Sequence, residues 1–161
     1  MTQTFTITCD TREQAPYTFT ASGHQVETSG LTAGDYSIAG LADHIAVERK
    51  ELSDFIGCVT GERDRFRREL QRLRAYRYRA VVIEASMADI AGHQYRSNAT
   101  PESVLGSLAG WSLRFEVPFF LAGDRAGGER LTLALLRNAH RQITELVEAV
   151  VPVVMKGTPH E

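Results

Sequence analysis

One segment of this 161-residue chain gathers residue types that hydrolytic chemistry uses: Val47-Glu48-Arg49-Lys50. It follows the apolar pair Ile45-Ala46 and ends in three consecutive charges. Read as a strand, it sends Glu48 and Lys50 to one face and Val47 and Arg49 to the other. A carboxylate beside an ammonium at a strand end suits holding a hard divalent cation and orienting, or helping to deprotonate, a water. One carboxylate binds such an ion weakly. Asp35, 13 residues earlier, supplies a second if a hairpin sets the two strands side by side. Asp54 follows Lys50 by four residues, where the chain turns into a helix. Asp10 and Glu13 close the first strand and reach the same rim. Each acid alone has an ordinary explanation as a turn former, an edge charge or a helix-start residue. Their convergence on strand ends, with one of only two lysines, favours a site.

The elements that must position these residues show in the patterning. Thr4–Asp10 alternates, with Phe5, Ile7 and Cys9 on one face, and reads as a strand. Residues 11–34, rich in Thr, Ser, Gly and Pro, hold a short strand or two among turns. Gly34-Asp35-Tyr36-Ser37-Ile38 begins a strand, and Ile45–Lys50 forms another. Residues 54–59 make a short helix or turn ending at Gly61. Glu62–Arg79 reads as a helix, with Phe66, Leu70 and Leu73 at i, i+4, i+7. Ala80–Glu84 is a continuous apolar run, suited to a buried central strand. Pro101–Phe115 reads as a helix with Thr100 as its N-cap. Val117–Ala122 is a further strand. Gly127-Gly128 signals a loop. The longest helix runs from about Gly128 to Val150, with Leu131, Leu135, Ala139, Ile143, Leu146 and Val150 nearly in line, and the tail frays after Pro152. The whole predicts an α/β domain with a mixed central sheet flanked by helices.

Composition narrows the class. Hydrophobic residues are 43% and charged residues 24%, ordinary for one globular domain over residues 1–161, its core at about 4–150. No apolar stretch approaches the roughly 18 residues that span a bilayer, and no basic-then-apolar leader opens the chain. Two cysteines, Cys9 and Cys58, make no disulfide framework and fit a reducing cytoplasm. No histidine shares a metal-binding spacing with a cysteine, which disfavours zinc. The net charge of −2 conceals an asymmetry: 16 arginines against two lysines, eight of those arginines between Arg63 and Arg79. Such a patch is compatible with phosphate binding. Tyr76 and Tyr78 have faces for stacking on an unpaired base, although burial is the commoner fate of such aromatics.

Gly34-Asp35, then Glu48-Arg49-Lys50 and Asp54, resembles the GD…ERKxxxD signature of the XPF/Mus/Hef group of structure-specific endonucleases. That group is a branch of the PD-(D/E)xK restriction-endonuclease-like superfamily. Cys9-Asp10-Thr11-Arg12-Glu13, Leu31–Tyr36, Arg65-Phe66 with Leu73, and Val81–Glu84 resemble further segments of the family in the same order. The resemblance implies a restriction-endonuclease-like fold and a Mg²⁺ or Mn²⁺ ion held by Asp35 and Glu48. It implies that Lys50 positions the attacking water, that Asp10, Glu13 and Asp54 complete the acidic rim, and that Arg49 and Arg65 hold phosphate oxygens. Arg12, Arg67, Arg68 and Arg72 are the further DNA contacts it implies. The activity implied is hydrolysis of DNA phosphodiester bonds in branched, flap or fork structures, leaving a 5′-phosphate and a 3′-hydroxyl. Relatives pair through their nuclease domains, and Leu133 and Leu136 lie off the main stripe of the last helix, so a homodimer is expected. No helix-hairpin-helix domain follows, so a stand-alone bacterial or phage form is expected. Two other functions are compatible with the same residues: a non-cutting DNA-binding scaffold of this fold, and a site-specific restriction-type nuclease or junction resolvase.

Overall fold

Apolar runs that fill both faces of a strand demand cover on both sides. The two such runs in this chain, Ile45–Val47 and Ala80–Ile83, lie in neighbouring strands inside a six-stranded sheet. The computed structural model describes residues 4–156. The strands are β1 (Thr6–Asp10), β2 (Gln25–Ser29), β3 (Tyr36–Ile38), β4 (Ile45–Glu51), β5 (Tyr78–Glu84) and β6 (Phe119–Leu121), in the order β2-β1-β3-β4-β5-β6. Strands β1, β3 and β4 pair antiparallel, whereas β1–β2, β4–β5 and β5–β6 pair parallel. This is the mixed sheet of an α/β restriction-endonuclease-like domain.

Helices α1 (Leu52–Val59), α2 (Arg63–Leu73), α3 (Met87–Ala91) and α4 (Pro101–Phe115) lie on one face. Phe55, Phe66, Leu70, Ile90 and Trp111 pack there against Ala46, Val81 and Ile83. The other face is covered by α5 (Arg125–Lys156), whose Leu136 and Ala139 pack with Ile7, Tyr36, Ile45, Val47 and Val82. Both cysteines are buried and free. Among the described residues no helix is long and apolar enough to cross a membrane.

Several boundaries differ from the sequence reading, each for a physical reason. Helix α2 stops at Leu73 instead of Arg79, because β5 pairs along the whole of β4, from Ile45↔Tyr78 to Glu51↔Glu84. Tyr76 is buried in the turn between α2 and β5, and Tyr78 is half-buried against the core with the Arg77 guanidinium 5.6 Å from its ring centroid. Helix α3 was not expected, although Ser86 and Asp89 form a reciprocal capping box at its start,. Thr100 caps α4 as expected, accepting from the Ser103 N–H.

Gly127-Gly128 is no loop. Both residues lie in the first turn of α5, where a Cβ on Gly127 would overlap the Ala122 carbonyl oxygen and one on Gly128 the Tyr17 hydroxyl. Helix α5 also continues past Pro152 to Lys156; fraying beyond that point lies outside the described residues. Leu133 and Leu136 pack inward, whereas Leu146, Val147, Val150 and Val151 are about half exposed. Apolar surplus on this helix therefore sits near its end.

These packing glycines give a stability test. Gly127→Ala is expected to lose about 1–3 kcal/mol by overpacking, read from urea unfolding. Gly106→Ala on α4, whose Cβ meets nothing within 4 Å, is expected to gain about 0.5–1 kcal/mol.

Candidate active site

The β3–β4 hairpin brings the first two carboxylates together. Tyr36 is paired with Val47, and extending that antiparallel register by one residue sets Asp35 across from Glu48. Gly34 makes the approach possible: its φ is +74°, and a Cβ there would sit 3.1 Å from the Val47 nitrogen and oxygen. The Asp35 N–H donates to the Val47 carbonyl at 2.8 Å, and the Arg49 N–H donates to Asp35 Oδ2 at 2.7 Å. On the other side the Asp10 N–H donates to the Asp35 carbonyl at 2.8 Å. Asp10 on β1, Asp35 just before β3 and Glu48 on β4 thus come from three adjacent segments of the sheet.

These residues line an open cleft of about 730 Å³, which Arg12, Glu13, Lys50, Asp54, Arg65, Glu69 and Arg72 also line. Burial, then the neighbouring Glu48 charge, pushes the Asp35 pKa up to about 8, while the Arg49 N–H pulls the other way. Burial also raises Glu48, against the pull of Lys50. Two desolvated carboxylates this close resist being ionised together unless positive charge joins them. Lys50 supplies one such charge. Its Nζ is 2.7 Å from Glu48 Oε1, 3.5 Å from Glu69 Oε2 and 5.3 Å from the Phe66 ring centroid. Burial alone would lower the Lys50 pKa, but Glu48 and Glu69 outweigh it and hold the amine protonated. Lys50 therefore stands in the cleft as a cation paired with Glu48.

A divalent ion fits this donor set. Among the described residues no group of three or more His, Cys, Asp or Glu side chains is placed to hold a metal ion. Mg²⁺ does not need such a group, since it commonly binds through one or two carboxylates and keeps several waters. Two raised, facing carboxylates in an open cleft match that habit.

The other predicted residues divide sharply. Arg49 faces away from Glu48 and Lys50, as the period-two reading required; it also lines the cleft, but its guanidinium is taken up by carboxylates. It is buried, and its Nε and Nη2 grip both oxygens of Glu84 at 2.7 and 3.0 Å. It also pairs with Glu13 and Glu51 at 3.3 and 2.9 Å. Tyr17 donates its hydroxyl to Glu84 at 2.7 Å. Burial raises the Glu84 pKa, but the bonds from Arg49 and Tyr17 more than reverse this and keep it lowered. Glu13 is accordingly engaged with Arg49 and with the Ala15 N–H. Asp10 is buried and bound by Arg12, which also donates to the Leu31 carbonyl at 2.7 Å. Those bonds outweigh burial and lower the Asp10 pKa. Asp54 is exposed in the first turn of α1.

Arg12, Arg65, Arg68 and Arg72 are exposed, with Arg12, Arg65 and Arg72 on the cleft wall. Arg67 is half-buried, 3.4 Å from Asp64. Sequence reasoning missed Tyr17, Glu69, Glu84 and Arg125 as neighbours of this machinery. Glu84 had a signal, the lone charge ending the apolar run Ala80–Ile83. Tyr17 had none.

The family model for the ERCC4 domain matches residues 9–131. The chain belongs to the ERCC4-domain family. The XPF/Mus/Hef-type resemblance of Gly34-Asp35 and Glu48-Arg49-Lys50 agrees with that membership. Among solved structures the chain is similar to XPF from Aeropyrum pernix, with a TM-score of 0.68 and 22% identity over 97% of this chain and 75% of that one. It is also similar to XPF from Aeropyrum pernix in complex with DNA, with a TM-score of 0.67 and 23% identity over 86% of this chain and 66% of that one. At these identities the likeness establishes the shared fold. No curated protein matches the chain.

The Arg49–Glu84 fork generates a test. Arg49→Ala leaves Glu84 buried without its main partner and is expected to cost about 3–5 kcal/mol of stability. Asp54→Ala, at an exposed position, is expected to change stability by no more than about 0.5 kcal/mol. Urea unfolding monitored by circular dichroism reads both.

Proposed function

We propose that this ERCC4-family domain is a divalent-metal-dependent DNA endonuclease acting on branched, flap or fork DNA. The observation that carries the reading is the meeting of Asp35, Glu48 and Lys50 in one open cleft walled by arginines. Asp35 and Glu48 would hold Mg²⁺ or Mn²⁺. When bound, such an ion stabilises charge on the phosphoryl oxygens and acidifies water. Lys50 orients the attacking water and offsets charge at the scissile phosphate. The Arg49 N–H keeps Asp35 turned toward Glu48, while Asp10, Glu13 and Asp54 shape the acidic rim. Arg12, Arg65, Arg67, Arg68 and Arg72 track the sugar–phosphate backbone without reading bases. The solved relative bound to DNA supports the partner class.

Pairing of two copies is part of the same proposal. The half-exposed stripe Leu146, Val147, Val150 and Val151 on α5 supports it, since apolar surface grouped in this way marks contact sites. Sedimentation equilibrium is expected to give twice the chain mass, with Leu146→Asp/Val150→Asp returning the monomer. A wild-type monomer at all concentrations overturns the pairing.

Single-turnover assays on fork, flap and linear duplex DNA test the activity. Cleavage of the branched substrates with Mg²⁺ and none with EDTA is expected. Asp35→Asn, Glu48→Gln and Lys50→Ala are each expected to lower the rate by roughly 100-fold or more. Lys50→Ala should retain DNA binding, whereas Arg68→Ala/Arg72→Ala should weaken it on every substrate alike. Binding without metal-dependent cleavage would favour the scaffold reading instead. Cutting of linear duplex at one sequence would favour the restriction-type reading.

A further inference from the structure

Glu69 belongs to no part of the Gly34-Asp35…Glu48-Arg49-Lys50 signature, yet it meets the signature's lysine. It projects from α2 into the cleft. Its Oε1 is 3.6 Å from Arg65 Nε, and its Oε2 is 3.5 Å from Lys50 Nζ. That Oε2 is buried and accepts no hydrogen bond. Phe66 and Leu70, both fully buried on the same helix, fix the backbone from which Glu69 projects.

The Lys50 ammonium accordingly has one engaged carboxylate, Glu48 at 2.7 Å, and one standing by. The second lies about 0.7 Å beyond the charge-assisted hydrogen-bond range near 2.8 Å. A rotamer adjustment of Lys50 or Glu69 covers that gap. We propose that Glu69 is a positioning residue that takes over the Lys50 ammonium when Glu48 turns its carboxylate to a divalent cation. This rests on the endonuclease reading above and deepens it. A cation beside Glu48 repels the ammonium and competes for the oxygen that holds it. Without another acceptor, the Lys50 ammonium would keep only the Phe66 ring face beside it and its flexible stem would loosen,. The charges around Glu69 fit this role: it pairs with two cations, Lys50 and Arg65, and the one carboxylate that repels it, Glu48, is the one a cation would neutralise.

The chain's lysine count makes the hand-over visible without an activity assay. Lys50 and Lys156 are the only lysines, so lysine labelled with ¹³C and ¹⁵N gives two side-chain signal sets, assigned by Lys50→Met. In the wild-type chain the two Lys50 Hε protons are expected to stay inequivalent, as in a restrained side chain, both without metal and with saturating Mg²⁺. In Glu69→Ala they should be inequivalent without metal and averaged with Mg²⁺, with Glu69→Gln intermediate. Cleavage by Glu69→Ala should fall roughly 10- to 100-fold. The same change should have no further effect in a Lys50→Ala background.

Equal restraint of Lys50 in wild type and Glu69→Ala at saturating Mg²⁺ overturns the proposal, as does an additive double mutant. Should Glu69→Ala lose its helical circular dichroism, Glu69→Gln alone decides by the same signals. A wild-type chain that neither cuts DNA nor shifts its Lys50 signals with Mg²⁺ overturns the endonuclease reading itself, and this proposal with it. That result is distinct from a failure of Glu69 alone.

Discussion

The close contact between the Gly34 backbone and Val47 is the constraint on which the site depends. With no Cβ and a left-handed φ, Gly34 lets β3 turn tightly against β4, and Asp35 arrives opposite Glu48,. The main chain then fixes the carboxylate, because the Arg49 N–H donates to it directly. A side chain held by a backbone donor in the middle of a sheet has little freedom to drift. Asp10 joins through the next strand, its own N–H bonded to the Asp35 carbonyl. Ladder geometry and one missing methyl group thus gather the acids.

Strand β4 separates two kinds of electrostatic task. Glu48 and Lys50 face the side of α2, where the cleft opens and charge is left for a ligand. Arg49 faces α5, where Glu13, Glu51 and Glu84 answer nearly all its donors and Tyr17 completes the Glu84 shell. Arg125 at the start of α5 reaches Glu84 at 3.8 Å and donates to the Ala15 and Pro16 carbonyls. One face carries the Glu48–Lys50 pair into the cleft, and the other carries an ionic network centred on the buried Arg49. The second braces the first, since the peptide that carries the Arg49 guanidinium also carries the N–H bound to Asp35.

What the residues disclosed beforehand follows the range of the forces involved. Alternation and apolar runs located β1, β4 and β5, and the Thr100–Pro101 start located α4 to the residue, because these depend on local patterning. The face assignment of Glu48, Arg49 and Lys50 needed only the pleat. The extent of α2 was not legible, since its end is decided by how far β5 pairs with β4, a long-range demand. Gly127-Gly128 misled because a tight packing contact and a turn ask for the same residue. The ion pairs of Arg49 were not legible because its partners, Glu84 and Glu13, are distant in sequence. Its local neighbour Glu51 gave too little notice that the guanidinium was already satisfied.

The alternating charges of Glu48-Arg49-Lys50 also guard the hairpin against mispairing. A slip of one residue along β4 would exchange its two faces. Arg49 would be thrust toward Phe66 and the cleft, and two unmatched ions would be sealed beneath α5. Desolvating those ions without partners is among the heaviest penalties a fold can meet. The charged triplet therefore doubles as a proofreading device: the observed alignment lets all three side chains keep their counter-ions, and it is the one that sets Asp35 opposite Glu48.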